Sequence, residues 1–103
     1  MGSESNTARD FRDLSNSLGR ASKILKSMGN QRRLEILTCL SEKEMSVGQL
    51  ERTIKISQSA LSQHLGRLRR DDIVTTRREA QTIFYSLYSE KIRQLLKSID
   101  LAA

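Results

Sequence analysis

The side chains best suited to chemistry lie between positions 57 and 70, in the stretch SQSALSQHLGRLRR. If this stretch is a helix, with about 100° between successive residues, its apolar residues fall on one face. These are Leu61, Leu65 and Leu68. The opposite face carries Ser59, Ser62, Gln63, Gly66 and Arg70, with Arg67 on its edge. The stretch is therefore predicted to be a helix with one buried face and one hydrogen-bonding face.

The groups on the outer face match the edges of DNA base pairs. Gln63 can bond adenine with both ends of its amide, Arg70 can bond guanine, and a serine can serve a base or a phosphate. Gly66 removes bulk where a backbone has to come close. These features favour a helix that reads bases in a major groove. For this helix alone, an ordinary amphipathic helix with a solvated face is an equally good interpretation.

The residues before this helix favour the first interpretation. Ser46 and Gln49 have the spacing of a capping box at a helix start. The apolar residues Val47, Leu50 and Ile54 then recur at helical spacing. Residues 55–56 form a short connection, and Ser57 is a good N-cap for a second helix over about 58–70. Since basic residues also outnumber acidic ones from Arg52 to Arg78, we predict a helix-turn-helix that binds nucleic acid.

A β-hairpin is predicted to follow. Residues 73–76 are all β-branched, which indicates a strand, and residues 82–87 form the return strand after a turn at 79–81. Arg77 and Arg78 would then lie near the hairpin tip, where they could reach a phosphate or a minor groove. The alternative is that both arginines are only solubilising charges.

Helical periodicity also appears on both sides of this central region. A first helix is predicted from Thr7 with the apolar residues Phe11, Leu14 and Leu18, weakened by Gly19. A second run carries Ala21, Ile24, Leu25 and Met28, and Gly29-Asn30 stops it. A third helix starts near Gln31 with a broad apolar face. Ser89 can cap a last helix whose stripe is Ile92, Leu95, Leu96 and Ile99.

The order of elements predicts a winged helix-turn-helix, a mainly α domain with a β-hairpin wing. Residues 1–6 are expected to be flexible and 7–103 to form a single domain. The apolar stripes of the first and last helices exceed what a small core uses, so we predict that these helices form a dimer interface. A two-fold dimer would place two recognition helices about 34 Å apart on an inverted repeat.

Composition narrows the class of function. The chain has 103 residues and a formal net charge of +6, which favours a polyanionic partner, with nucleic acid before an acidic membrane surface. No apolar run approaches the roughly 20 residues of a membrane span, and no signal-peptide pattern opens the chain. We therefore expect a cytoplasmic protein with no membrane partner. A glycine-rich phosphate loop, a second histidine and a nucleophile with a plausible base are all missing, which argues against an enzyme.

The chain resembles the ArsR/SmtB family of bacterial repressors over nearly its whole length, and most of all the HlyU and NolR type of regulator. The segments that carry the likeness are MGNQRRLEIL (28–37), SQSALSQHL (57–65) and LSQHLGRLRRDDIVTTRREAQTIFYSL (61–87). The resemblance implies a homodimer that binds an imperfect palindrome in promoter DNA. It also implies that Gln58, Ser59, Ser62, Gln63 and His64 lie in the groove-facing helix, with Arg77 or Arg78 in the wing.

His64 has two possible roles. On the helical wheel it lies about 60° from Leu61, toward the buried side, so its spacing favours a half-buried packing residue. The family resemblance adds the possibility of a contact with DNA.

Metal sensing is not expected. Metal-sensing members of the family carry ELCVCDL at the start of the first helix of the motif, and here Ser46 and Gly48 occupy the two cysteine positions. The last helix has no histidine, and Cys39 with His64 cannot form a four-ligand zinc site within one chain. We therefore predict neither a metal nor another cofactor.

Two alternatives to a simple operator-binding regulator remain. Some relatives of this type switch through a cysteine pair, but Cys39 is the sole cysteine, so an internal disulfide is not available. Cys39 could still form a sulfenic acid or a mixed disulfide, although a small apolar filler is the commoner role for such a residue. The other alternative is a nucleoid-associated or anti-silencing protein that binds DNA with weak sequence preference.

Overall fold

The computed structural model describes residues 3–99, with side chains from Asp10 onward. Residues 1–2, at the start of the predicted flexible segment, and residues 100–103 lie outside the described residues. The helices are α1 (Ser3–Met28), α2 (Gln31–Glu42), α3 (Val47–Ile54), α4 (Gln58–Arg70) and α5 (Glu90–Ser98). The strands are β1 (Met45–Ser46), β2 (Val74–Glu79) and β3 (Thr82–Leu87). This order confirms the predicted winged helix-turn-helix.

The N-terminal part differs from the sequence prediction. The two runs predicted before Gly29 are one continuous helix, α1, which begins at Ser3 rather than at Thr7. The flexibility expected for residues 1–6 stays a prediction. Gly19 does not interrupt it, since glycine keeps its backbone N–H and lowers helix stability by only about 1 kcal/mol relative to alanine. The predicted stop after Met28 is confirmed, because Asn30 then caps α2 by accepting a hydrogen bond from the Arg33 backbone N–H.

The sheet has three antiparallel strands in the order β1-β3-β2. The hairpin pairs Val74 with Leu87 at its base and Glu79 with Thr82 at its tip, so the turn contains only Ala80 and Gln81. The turn predicted at 79–81 is therefore one residue shorter, and the first strand runs on to Glu79. Ile73, predicted as the first strand residue, is buried but precedes β2.

Strand β1 was not predicted from the sequence. It contains two residues, Met45 and Ser46, which pair with Tyr85 and Phe84 of β3. Two residues are too few to show an alternating pattern. The strand fixes the segment before α3 against the wing, and it therefore links the hairpin to the helix-turn-helix.

The core lies between α2, α3, α4 and the base of the hairpin. Its fully buried members are Ile36, Leu37, Leu40, Leu50, Leu61, Leu65, Leu68, Ile73 and Val74. The α5 helix closes it with Ile92 and Leu96, whereas α1 contributes Met28 and the partly buried Ile24. Most of the apolar stripe of α1 is therefore left out of the core.

Candidate nucleic-acid interface

The helix-turn-helix is built by local hydrogen bonds that the sequence predicted. Ser46 Oγ accepts from the Gln49 backbone N–H at 3.2 Å, and Gln49 Oε1 accepts from the Ser46 N–H at 2.8 Å. This is the predicted capping box of α3. Ser57 Oγ accepts from the Ala60 N–H at 3.2 Å and caps α4, as predicted. Each helix of the motif therefore starts at a fixed residue.

The turn between α3 and α4 consists of residues 55–57. Lys55 has φ 61°, in the left-handed region, and its backbone N–H donates to the Glu51 carbonyl at 2.9 Å. Such a C-terminal position favours glycine, since a Cβ atom is strained there. The left-handed conformation of Lys55 makes a tight turn between the two helices. The half-buried Ile56 follows and packs against the core.

The orientation of α4 follows from its apolar face. Leu61, Leu65 and Leu68 are at most 1% exposed, so the helix cannot rotate without exposing them. Its outer face is accordingly exposed along the whole helix. The exposed side chains or positions are Gln58, Ser59, Ser62, Gln63, Gly66, Arg69 and Arg70. The predicted inner and outer faces of α4 are confirmed, whereas contact of these residues with DNA stays a prediction.

The C-terminal end of α4 carries a cluster of opposite charges around Asp71. The side chain of Asp71 is 8% exposed, and its carboxylate lies 3.7 Å from Arg67 Nε, 3.8 Å from Arg70 Nε and 4.0 Å from Lys23 Nζ of α1. The Asp71 carboxylate thus offsets part of the positive charge of Arg67 and Arg70, two of the arginines predicted to bind DNA. The Arg70 side chain is 72% exposed, so it remains the more accessible of the two.

His64 is half-buried on the flank of α4, as its spacing predicted. Its Nδ1 lies 3.5 Å from Nη1 of Arg33 on α2, and Arg33 Nε donates to the Ser27 carbonyl near the end of α1. Burial, followed by the positive charges of Arg33 and Arg32, lowers the pKa of His64. Neutral imidazole can accept at Nδ1 from Arg33 and keep its other nitrogen as a donor. His64 therefore lies against Arg33 of α2, and Arg33 in turn connects α2 to the end of α1.

The two arginines of the wing, Arg77 and Arg78, differ in their side-chain contacts. Arg77 Nε lies 3.1 and 3.3 Å from the two carboxylate oxygens of Glu44, and Nη2 donates to the same group. Its Nη1 donates to Glu79 at 2.6 Å, and its guanidinium lies 4.8 Å from the centre of the Phe84 ring. Arg78 is exposed and, within residues 10–99, makes no side-chain hydrogen bond or ion pair. Both arginines belong to β2 near the hairpin tip. Arg77 is paired with two carboxylates, whereas Arg78 has no ion-pair partner among residues 10–99.

Three residues of this region were not singled out from the sequence. They are Arg33, Glu44 and Asp71, and each acts by touching a predicted site residue. Asp71 could have been found from its i,i+4 spacing to Arg67. Arg33 and Glu44 contact residues more than thirty positions away along the chain, and no local pattern reports such a contact.

Cys39 lies on α2, away from the outer face of α4. It is half-buried and lines a shallow cavity of about 450 Å³ between α2 and α3. Burial, followed by the charge of Glu35, raises the pKa of the Cys39 thiol. A raised pKa disfavours the thiolate, which is the reactive form.

Among the described side chains, from Asp10 to Ile99, no group of three or more His, Cys, Asp or Glu residues is arranged to hold a metal ion. The same part of the chain contains no helix with the length and apolar character needed to cross a bilayer.

Known proteins resemble this chain in both sequence and structure. The transcriptional activator HlyU of Vibrio cholerae is 46% identical over 88 residues, which are 85% of this chain and 82% of HlyU. A solved structure of HlyU from Vibrio cholerae N16961 matches with a TM-score of 0.77 at 48% identity, over 81% of this chain and 90% of that one. NolR from Sinorhizobium fredii matches with a TM-score of 0.75 at 42% identity, over 84% and 87% of the two chains.

A further solved structure, the transcriptional repressor BigR from Xylella fastidiosa, matches with a TM-score of 0.77 at 40% identity, over 85% of this chain and 90% of that one. The family model described as bacterial regulatory protein, arsR family, matches residues 30–76, which include α2, α3 and α4. HlyU and BigR are named as transcription regulators, and the family resemblance predicted from the sequence is confirmed. The chain therefore belongs to the arsR family of bacterial regulatory proteins, and it is a DNA-binding transcription regulator with a winged helix-turn-helix fold.

Proposed function

We propose that the protein is a homodimeric, sequence-specific regulator that binds an imperfect inverted repeat in promoter DNA through helix 58–70 and the wing 73–87. The observation that carries the proposal is the outer face of α4, which presents Ser59, Ser62 and Gln63 to solvent on a helix held in place by buried leucines. Hydroxyl and amide groups are not needed for binding to phosphates alone, but they can discriminate between bases.

Arg70, Arg67 and Arg78 supply the phosphate contacts in this proposal. Arg70 and Arg78 are exposed, and Arg67 lies half-buried at the edge of the α4 face. Phosphate contacts fix the register of a protein on the duplex, while base contacts select the sequence. His64 and Gln58 flank the base-reading residues on the same helix.

The second subunit is inferred from apolar side chains that the single chain does not use. Phe11 is 67% exposed, and Leu14, Leu18 and Leu25 are each more than half exposed along one stripe of α1, while Ile99 beyond α5 is 49% exposed. A stripe of this kind is typical of a protein interface rather than of a solvated helix. An interface between two copies would pair α1 and α5 of each subunit and give two recognition helices related by a two-fold axis.

The regulator acts without a metal or another cofactor in this proposal, because Ser46 and Gly48 stand where metal-sensing members carry cysteines. Cys39 is assigned a packing role, since burial disfavours its thiolate. The protein is expected to work in the cytoplasm, where promoter DNA is found.

Related proteins include an activator and a repressor. The bound dimer can repress directly, or it can relieve repression by displacing another DNA-coating protein.

The decisive experiment is an affinity selection on fragmented chromosomal DNA of the source organism at near-physiological salt, followed by sequencing of the bound fraction. We expect enrichment of an inverted repeat whose half-sites are about one helical turn apart. Tight binding with no enriched sequence would instead support a nucleoid-associated or anti-silencing protein and would remove the base-reading roles of Ser59, Ser62 and Gln63.

A single substitution tests the base-reading face. Gln63→Ala should weaken binding to the selected repeat by about 1–3 kcal/mol and relax specificity at one position of each half-site. The measurement is fluorescence anisotropy against the repeat and against mixed-sequence duplex DNA. Gln31→Ala, at the exposed start of α2 and outside both the proposed DNA-binding face and the proposed dimer interface, is the matched control. An equal loss on both DNAs would show that Gln63 does not read a base.

A further inference from the structure

We propose that Arg77 is a positioning residue that locks the wing onto the body of the domain, and that Arg78 alone supplies the wing's contact with the DNA backbone. The inference deepens the proposed function, on which its DNA-binding part rests. It corrects the simplest interpretation of an arginine pair near a hairpin tip, in which both side chains meet a phosphate.

The contacts of Arg77 join three separate segments. Glu44 lies just before β1, Glu79 ends β2, and Phe84 lies in β3 directly opposite Arg77 in the strand register. The guanidinium donates to both carboxylates and lies over the ring. A planar fork with several fixed donors suits such a junction, because each partner restrains the same rigid group.

The faces of the hairpin separate the two arginines. Successive side chains of a strand point to opposite faces. Arg77 shares its face with its cross-strand partner Phe84, whereas Arg78 pairs with Ile83 on the other face. The two arginines therefore have different neighbours although they are adjacent in sequence.

The local charge also argues against a phosphate at Arg77. Two carboxylates surround one guanidinium, so the site carries a net negative charge and repels an anion. The hydrogen bond from Arg77 lowers the pKa of Glu44 below its ordinary value of 4.5, and a glutamate is ionised at neutral pH even at that ordinary value. A phosphate would have to displace a hydrogen-bonded carboxylate from Arg77, whereas Arg78 has no such partner among residues 10–99.

The contact between Arg77 and Glu44 restrains the position of the hairpin. A two-stranded hairpin is only marginally stable by itself, and the β2–β3 hairpin extends beyond the buried pair Val74 and Leu87. Glu44 belongs to the segment that leads through β1 into α3. A bond from the hairpin to Glu44 thus sets the position of the wing tip relative to the helix-turn-helix.

The first test compares lysine substitutions, which keep the charge and remove the fork. Arg77→Lys should weaken binding to the selected repeat about fivefold, which is the scale of a small charge network, and leave the salt dependence of binding unchanged. Arg78→Lys should retain most of the affinity, because lysine can still neutralise a phosphate. Arg78→Met should reduce the slope of log K against log salt by about one. A reduced slope for Arg77→Met would overturn the assignment.

The second test gives results of opposite sign for the two interpretations. Glu44→Gln should weaken binding about as much as Arg77→Lys, and the double variant should be no weaker than either single one. If Arg77 touched DNA, Glu44→Gln would free it, remove a repelling charge and tighten binding. Glu42→Gln is the matched control, because Glu42 is exposed and has no ion pair within the described side chains. Tighter binding by Glu44→Gln than by Glu42→Gln would refute the lock.

A third measurement needs no DNA. In the free protein, backbone amides of the hairpin should exchange hydrogen faster in Arg77→Lys and Glu44→Gln than in the wild type, and at the wild-type rate in Arg78→Lys and Glu42→Gln. Unchanged exchange in all four variants would overturn the lock even if the operator is found. Faster exchange in the first pair, with no sequence preference in wild-type binding, would sustain the lock and reject the proposed operator function.

Discussion

Gly66 occupies an exposed position on the outer face of α4, where a glycine weakens the helix. A Cβ atom built there would meet nothing within 4 Å, so packing within the chain does not explain the residue. Gly66→Ala should raise the free energy of unfolding by about 1 kcal/mol, which corresponds to a melting temperature about 4–8 °C higher for a domain of this size. It should at the same time weaken binding to the selected repeat, because the added methyl group occupies the space that DNA approaches.

Thermal unfolding and anisotropy titration measure the two effects of Gly66→Ala. Gly19→Ala is the control for helix propensity, since Gly19 also has nothing within 4 Å of its Cβ position but lies in α1. It should stabilise the protein without weakening DNA binding. Unchanged affinity in Gly66→Ala would show that the helix surface at this position does not approach DNA.

His64 should make the stability of the protein depend on pH. Its pKa is lowered below the ordinary value of 6.5 in the folded state, mainly by burial and then by Arg33 and Arg32. The unfolded chain therefore binds a proton first as the pH falls. Its contribution to stability is complete above about pH 6.5 and is lost as the pH falls toward the lower folded pKa. Urea unfolding from pH 7.5 to 5.5 should show this loss in the wild type.

The control for this pH dependence is His64→Gln, which keeps a hydrogen-bond acceptor for Arg33 but does not titrate. The difference in unfolding free energy between the two proteins should change across this pH range. A constant difference would contradict the lowered pKa. A phosphate beside His64 would act in the opposite direction and raise its pKa, so tighter DNA binding at lower pH in the wild type alone would indicate contact between His64 and DNA.

At the scale of elements, Ser46 belongs to two elements, strand β1 and the start of helix α3. It ends strand β1 opposite Phe84, and it caps α3 through its hydroxyl. Ser46→Ala should lower the free energy of unfolding by about 1 kcal/mol, because a backbone N–H at the start of α3 loses its acceptor. Thermal or urea unfolding provides the measurement.

Ser62→Ala is the matched comparison for Ser46→Ala. Ser62 is exposed on α4, so its substitution should change stability by less than about 0.5 kcal/mol and should weaken DNA binding. An equal loss of stability in the two variants would contradict the capping role of Ser46.

The elements also show where local patterns are sufficient. For α4 the sequence predicted leucines at a period of 3.6 residues, a serine N-cap and a polar outer face. All three predictions were correct, because each feature is decided by residues within a few positions of one another. Gly19 misled the prediction for α1, since a propensity cost of about 1 kcal/mol is not enough to end a helix. Strand β1 was missed because its two residues are held by a partner strand almost forty positions later.

At the scale of the whole molecule, the exposed stripe of α1 determines the test of dimerisation. Leu18 is 58% exposed, so Leu18→Asp removes apolar interface area without disturbing the core of a subunit. The wild type should sediment as a dimer and Leu18→Asp as a folded monomer, with binding to a full inverted repeat strongly reduced. Leu95 is less suitable for this purpose, because it packs against the core and its substitution would also affect folding.

Asn16→Asp is the control for the charge added in Leu18→Asp. By spacing, Asn16 lies on the opposite side of α1 from Leu18, and it is exposed. This variant should remain dimeric. A monomeric wild type that still binds the full repeat tightly would reject the proposed interface.

The sequence by itself determined the winged helix-turn-helix, the caps of α3 and α4, and the two faces of α4. It also determined the cap of α5, where Ser89 Oγ accepts from the Ile92 backbone N–H. These features follow from hydrogen bonds and periodicities that extend over one or two helical turns, so the residue order is sufficient to read them. Only the tertiary structure decided that Arg77 is bound to Glu44, that His64 meets Arg33, and that the core uses the apolar stripe of α5 but leaves out most of the stripe of α1. Those outcomes depend on contacts between distant segments, and their energies arise only when the core has brought the segments together.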